Sequence, residues 1–317
     1  MLSVHLDSGR VALRQDPPLE RPEGFALIRL LCGGICNTDL ELQRGYYGFS
    51  GVPGHEFVGE VVESDSKDLL GKRVVGEINL ACGHCAWCKR GKGRHCPSRA
   101  VLGIVKHPGA FAEFLTLPEN NLHVLPDSIP TEVAVFTEPL AAACEILDQV
   151  QIPCGTPVAV LGDGKLGLLV AQVLQANGYR VHQFGRHPEK LQIAAKAGVT
   201  TEVRGDHLPE AEYRWVVDAT GSQAGLHAAI RMVEPAGTII LKSTVHGAIP
   251  LDTAPVIVNE ITLVGSRCGR FEPALELLRL GAVDVNSMIS EQMKLEAAPA
   301  AFEKAAQRGV MKVLLSN

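Results

Sequence analysis

Two hydrophobic rhythms share the chain. Up to about residue 140, short β-branched runs with partial alternation are punctuated by Gly and Pro, and 26–31, 57–62 and 73–76 are predicted strands. A Gly- and aromatic-rich loop, 44–53, lies between the first two. Beyond Pro139 the rhythm changes. The apolar run 157–161 is followed by a glycine turn and by 168–176, whose apolar residues fit a buried helix ending near Gly178. Strand-like 180–184, 201–203, 215–218, 238–241 and 261–264 then alternate with helical 188–197, which has Pro in its first turn, and 222–233. Such alternation builds βαβ units, so the six strands predict one doubly wound parallel sheet. The final stretch carries helical 273–280 and 295–307 and closes with strand-like 311–315, read as a tail that returns to complete the first module. The predicted domains are 1–139, 140–268 and 269–317, the second inserted into a module formed by the other two.

Composition narrows the class. With 317 residues and 46% hydrophobic content, the chain has ample apolar material for packed cores, which excludes intrinsic disorder. A net charge of −5 without a basic block removes nucleic acid and anionic membranes from the expected partners. No apolar run approaches a bilayer span. His5, Asp7 and Arg10 interrupt the opening, so no signal peptide is expected and the predicted location is cytoplasmic. In that compartment the nine cysteines, an odd number, argue for metal or redox chemistry rather than a disulfide framework.

Gly162, Gly164 and Gly167 fit G-x-G-x-x-G directly after a strand and at the opening of a helix. That context makes a dinucleotide site of the pattern. The first Gly permits the tight turn, the second lets backbone approach a pyrophosphate, and the third packs helix on strand, with Lys165 and Leu166 between them. The helix N-terminus then presents N–H groups to the anion. An NAD-preferring site places Asp or Glu about 20 residues on, against the ribose 2′-hydroxyl. Here Gly185 occupies that position, followed by Arg186, His187 and, one helical turn on, Lys190. Cations without a carboxylate suit the 2′-phosphate, so NADP is the expected cofactor, with NAD also possible.

Cys82, Cys85, Cys88 and Cys96 supply four thiolates within fifteen residues, the pattern of a closed structural zinc site holding a loop without a core of its own. A C-x2-C-x2-C run with a further Cys-Pro, here Cys96-Pro97, also surrounds iron–sulfur clusters. Zinc is favoured because the second cysteine set of two-cluster ferredoxins is missing. His84 and His95 are read as flanking polar residues, and Cys32, Cys144, Cys154 and Cys268 as ordinary thiols.

Three further segments complete a constellation: Cys36-Asn37-Thr38-Asp39, Gly54-His55-Glu56 and Glu138-Pro139-Leu140. With the four-cysteine loop and the glycine turn, in this order, the chain resembles the zinc-dependent alcohol dehydrogenases of the medium-chain dehydrogenase/reductase superfamily over nearly its whole length. The segments 109–113, 218–221 and 265–266 also resemble family segments. The resemblance implies an α/β protein with a GroES-like, β-rich catalytic domain, an inserted doubly wound Rossmann domain, and an active site in the cleft between them. By the same resemblance, Cys36 and His55 are catalytic-zinc ligands, and Glu138 stands where the polyol, glucose and threonine branches have Glu. Glu56 is either a direct ligand or a partner of the ligands.

The implied chemistry is hydride transfer between an alcohol or polyol, or its carbonyl, and the nicotinamide, with zinc as Lewis acid and the Thr38 hydroxyl taking the alcohol proton. One departure stands out. Many members have His five residues after the ligand Cys, where this chain has Glu41. Tyr46, Tyr47 and Phe49 either line the substrate pocket or anchor their loop. A homo-dimer or homo-tetramer is the expected assembly. The competing reading is a non-catalytic NADP-binding protein or sensor that keeps the fold and the structural zinc.

Overall fold

The computed structural model describes residues 1–205, 207–244 and 248–317, leaving aside the side chain of Tyr47, and it divides into two units. Unit one comprises Met1–Glu138 with Ile289–Asn317, and unit two is Pro139–Met288.

Unit one is built round the ten-residue strand Phe25–Gly34, whose alternate residues are buried. On one side it pairs antiparallel with Glu56–Glu63, and at its glycine end with the C-terminal strand Lys312–Ser316. Phe114–Pro118 pairs with its first half, and Arg73–Gly76, Leu122–Val124 and Ile289–Lys294 complete a seven-stranded sheet. Register matters here. Gly34 lies opposite both Glu56 and Leu314, which places the C-terminal strand and the start of Glu56–Glu63 on either side of the same residue. A Cβ on Gly34 would come within 2.7 Å of Val135 Cγ1 and 2.8 Å of Glu56 Oε2, so only glycine lets these elements meet. A small separate sheet, Asn79–Leu80 with Ala100–Leu102 and Lys106–His107, carries the cysteine loop.

Unit two contains six parallel strands: β1 (Pro157–Leu161), β2 (Arg180–Gly185), β3 (Thr200–Val203), β4 (Tyr213–Asp218), β5 (Val233–Leu241) and β6 (Thr262–Gly265). Their order, β3-β2-β1-β4-β5-β6, reverses beside β1, the switch point at which doubly wound sheets bind nucleotides. Helices α1 (Lys165–Ala176), α2 (Pro188–Lys196) and α3 (Gln223–Met232) cross between strands. Ser222 caps α3 by accepting the Gly225 N–H, as expected of serine at that position. Ala159, Leu161, Phe184, Val216, Ala229 and Ile239 meet in one buried cluster between sheet and helices.

The boundary expected near residue 268 lies instead at 288/289. The helix Phe271–Arg279 stays with unit two because its approach is fixed there: Gly269 abuts the Ala141 carbonyl, and Arg270 holds Asp148 through two hydrogen bonds. Gln172 on α1 exchanges hydrogen bonds with the Asp284 backbone, which fastens the following turn as well. These contacts are specific to particular side chains, and hydrophobic rhythm does not reveal them.

Candidate active site

The four clustered cysteines converge. Sγ separations are 3.5 Å for Cys85–Cys88, 3.8 Å for Cys85–Cys96 and 3.9 Å for Cys82–Cys88. Sulfurs held 2.3 Å from one tetrahedral ion stand about 3.8 Å apart, so the shell fits a single zinc and leaves no room for the bridging sulfides of a cluster. The N–H groups of His84 and Cys85 pull the Cys82 thiol down to about 6, while burial and its cysteine neighbours push Cys88 up to about 12, so the ligand charge at this group falls first on Cys82. Among the other cysteines, burial pushes Cys32 and Cys144 up to about 12, which leaves them inert.

A second group joins Cys36, His55 and Glu56, whose ligand atoms all lie within 4.8 Å of one another. Cys36 caps the helix Asn37–Gln43, and its N–H donates to Asp39 Oδ2 at 2.8 Å. Asp39, fully buried, also accepts the Gly54 N–H at 3.2 Å, and its Oδ1 lies 3.4 Å from His55 Nδ1. One carboxylate therefore joins the Cys36 turn to the Gly54–His55 loop and stands beside the His55 ring. Gly54 makes this approach possible: it sits at φ +101°, and a Cβ there would strike Phe111 at 2.6 Å. Sequence reading quoted Asp39 within a motif without assigning it this task. Asp39→Asn is expected to weaken metal binding at Cys36–His55 by about 10–100-fold, measured by competition with a chelator, with the cysteine-loop ion retained.

Glu56 has no exposed surface. Its Oε2 is paired with Lys312 Nζ, which is itself 1% exposed and stands 5.5 Å from the Phe136 ring centre. Lys312 escaped sequence reading altogether, since a lone Lys in a closing strand carries no signal. Glu56 Oε1 and His55 Nδ1 are buried without hydrogen-bond partners. Burial disfavours a charged His55, but Asp39 and Cys36 outweigh it and hold its pKa well above the ordinary value. Thiol, imidazole and carboxylate donors in one buried and electronegative pocket fit a zinc ion.

The remaining candidates are placed as follows. Glu138 opens the helix Thr137–Gln149 half-buried and does not belong to the Cys36–His55–Glu56 group. Thr38 Oγ1 lies 3.8 Å from Cys36 Sγ. Glu41 is engaged by Arg44 at 2.6 Å. A cavity of about 800 Å³ in unit one is lined by His5, Asp16, Phe49, Ile104 and His107, and none of the metal-group residues lines it. Tyr46 does not line it either, and the expectation for Tyr47 falls outside the described side chains.

In unit two the glycine turn behaves as its spacing predicts. Gly162 has φ +111°, Gly164 has open space where a Cβ would stand, and a Cβ on Gly167 would lie 2.3 Å from the Gly162 carbonyl. Gly164 caps α1 without a side-chain hydrogen bond, and a helix N-terminus of this kind presents N–H groups to an anion. Arg186 is exposed and Lys190 half-buried at the end of β2 and start of α2. His187 caps α2. Sequence reading missed Arg204, whose N–H donates to the Gly185 carbonyl at 2.6 Å. Burial and then the charges of Arg186 and Arg231 depress the Arg204 pKa, as expected of gathered cations that want an anion. It also missed Lys242, which donates to the Ala142 and Arg267 carbonyls and to Ser266 Oγ beside the end of β6.

Comparison with known proteins shows the family. Residues 22–127 match the alcohol dehydrogenase GroES-like domain, and 166–282 match the zinc-binding dehydrogenase family. The chain is 31% identical to the D-altritol 5-dehydrogenase of Agrobacterium fabrum over 327 residues, covering 97% of each. A protein described as a zinc-binding dehydrogenase from Sinorhizobium meliloti 1021, bound to NADP, superposes with a TM-score of 0.91 at 26% identity, covering 100% of this chain and 99% of that one. An alcohol dehydrogenase from Thermus sp. ATN1 gives 0.89 at 30% identity, covering 100% and 99%.

Proposed function

Because the chain belongs to the zinc-dependent alcohol dehydrogenases of the medium-chain dehydrogenase/reductase superfamily, we propose that it oxidises a secondary hydroxyl of a polyol, with NADP preferred and NAD also accepted. The observation that carries this reading is the convergence of Cys36, His55 and Glu56, with Glu56 Oε1 buried and without a hydrogen-bond partner. It favours the enzyme over a binder that keeps only the cysteine-loop ion. The polyol class is supported by the hexitol named for the Agrobacterium relative.

Cys36 and His55 would hold the catalytic zinc, with Glu56 Oε1 or Glu138 as third donor. The bound ion supplies Lewis acidity, which makes a hydroxyl more acidic and, in reverse, a carbonyl more electrophilic. Asp39 fixes the ring orientation of His55. Thr38 Oγ1 receives the proton of the substrate hydroxyl and passes its own outward. Glu41, five residues after Cys36, is paired with Arg44. The balanced change is polyol plus NADP⁺ to ketose plus NADPH and one proton.

The three glycines and the N-terminus of α1 hold the pyrophosphate, while Arg186, Arg204 and Lys190 face the 2′-phosphate. Two zinc ions per chain are expected, one in each group. Among the described residues no helix is long and apolar enough to cross a membrane. The outer edge of β6, beside the exposed Ile257 and Val258, suits a second copy in a homo-dimer or homo-tetramer.

The test is a panel of polyols, simple alcohols and aldehydes with both cofactors, run with metal analysis. Polyol turnover with two zinc ions supports the proposal, and one zinc without turnover defeats it. In the same panel Arg186→Ala should lower kcat/KM with NADP relative to NAD by about tenfold or more, the loss of one charge-assisted contact.

A further inference from the structure

The carboxylate absent from the end of β2 is present after all, on a different loop. Asp163, between the first two glycines of the turn, reaches across to the β2–α2 junction, where Oδ2 accepts the N–H groups of Arg186 and His187, both at 2.6 Å. His187 Nδ1 lies 3.0 Å from the same oxygen. Gly185 permits this, because a Cβ there would stand 2.6 Å from Asp163 Cβ and 2.7 Å from Oδ2. The Asp163 carboxylate therefore fills the space that the side chain of an acidic residue 185 would enter. Burial raises its pKa, but the His187 and Arg186 amides and the His187 ring outweigh that and hold it below the usual carboxylate value, so it is ionised at neutral pH. Its bonds fall on Oδ2, and the side chain keeps 10% of its surface exposed, so Oδ1 is the oxygen available to a ligand.

A carboxylate at the end of the second strand accepts the ribose 2′-hydroxyl, and it repels a phosphate in the same place. It also occupies two backbone N–H groups that would otherwise receive phosphate oxygens. We propose that Asp163 reads the ribose 2′ position: Oδ1 accepts the 2′-hydroxyl of NAD and opposes the 2′-phosphate of NADP, limiting the preference that Arg186 and Arg204 give to NADP. This rests on the nicotinamide-cofactor reading above and explains how one site takes both cofactors. Asp163 substitutes from the glycine loop for the acid that position 185 lacks.

The test is calorimetric binding of NAD and NADP to the zinc-loaded protein and to Asp163→Asn and Asp163→Ser, each checked for an unchanged thermal midpoint. Asn keeps an acceptor for the Arg186 and His187 amides and turns a donor toward the ligand, whereas Ser removes the charge and releases the amides. Both should raise the ratio of NAD Kd to NADP Kd by about tenfold, the effect of roughly 1.4 kcal/mol, with NAD binding weakened. A ratio that stays within twofold in whichever variant keeps its thermal midpoint, or one that moves toward NAD, overturns the role of Asp163 while leaving the dehydrogenase reading intact. Failure of the wild-type protein to bind either cofactor overturns both.

Discussion

Cys36→Ala is expected to reduce the zinc content from two ions per chain to one and to lower polyol turnover by about 10³-fold. The size follows from the several kcal/mol of charge stabilisation that a Lewis-acidic ion supplies, at 1.36 kcal/mol per decade of rate. Thermal stability should change little, since Cys36 sits at a helix cap and its backbone bond to Asp39 does not need the thiol. Cys82→Ser gives the contrasting result: the ion lost is the one in the loop, and the damage falls on the fold around 82–96. Elemental analysis of the two variants, combined with turnover, separates the groups. Full turnover by Cys36→Ala with one zinc remaining would show that the reaction does not use this site.

Lys312→Met is expected to lower the unfolding free energy by about 3–5 kcal/mol, because it leaves the Glu56 carboxylate buried and uncompensated. The double variant Lys312→Met with Glu56→Gln should recover most of that loss, since the uncompensated charge is then gone. Denaturant titration of the four proteins gives the coupling directly. Equal stabilities for wild type and Lys312→Met would mean that the pair contributes nothing net. The location gives the pair a second consequence. It joins the C-terminal strand to Glu56 through Oε2 and leaves Oε1 buried without a hydrogen-bond partner.

Much of the fold could be read from rhythm. Strands 73–76 and 180–184 appear within a residue of their expected places, and the helix after the glycine turn ends at Ala176 as expected but starts three residues earlier, at Lys165, because apolar periodicity and helix-end residues act locally. The region 295–307 was less well read: its start is a single 3-10 turn, Leu295–Ala297, and the α-helix is Ala298–Ala305, with Pro299 in its first turn. Strand β5 begins at Val233, five residues before its apolar run: Val233 pairs with Tyr213, and after a break in register the pairing resumes at Thr238, where the apolar run starts.

The chemistry divides along the same line. The sequence by itself marked the four-cysteine cluster and the three glycines with their separate steric tasks, because there residue type and short spacing carry the requirement, whereas Cys36 and His55 were marked only through the family resemblance. Only the tertiary structure decided what lies at long range. It brought Lys312 to Glu56 across 256 positions, put Asp39 between Cys36 and His55, and carried the Asp163 carboxylate to the place that Gly185 leaves open. These are contacts between single polar side chains buried by distant elements. Their energies depend on geometry and desolvation that no local pattern encodes, and so the cofactor preference expected from Arg186 alone gains an opposing charge that only the folded chain reveals.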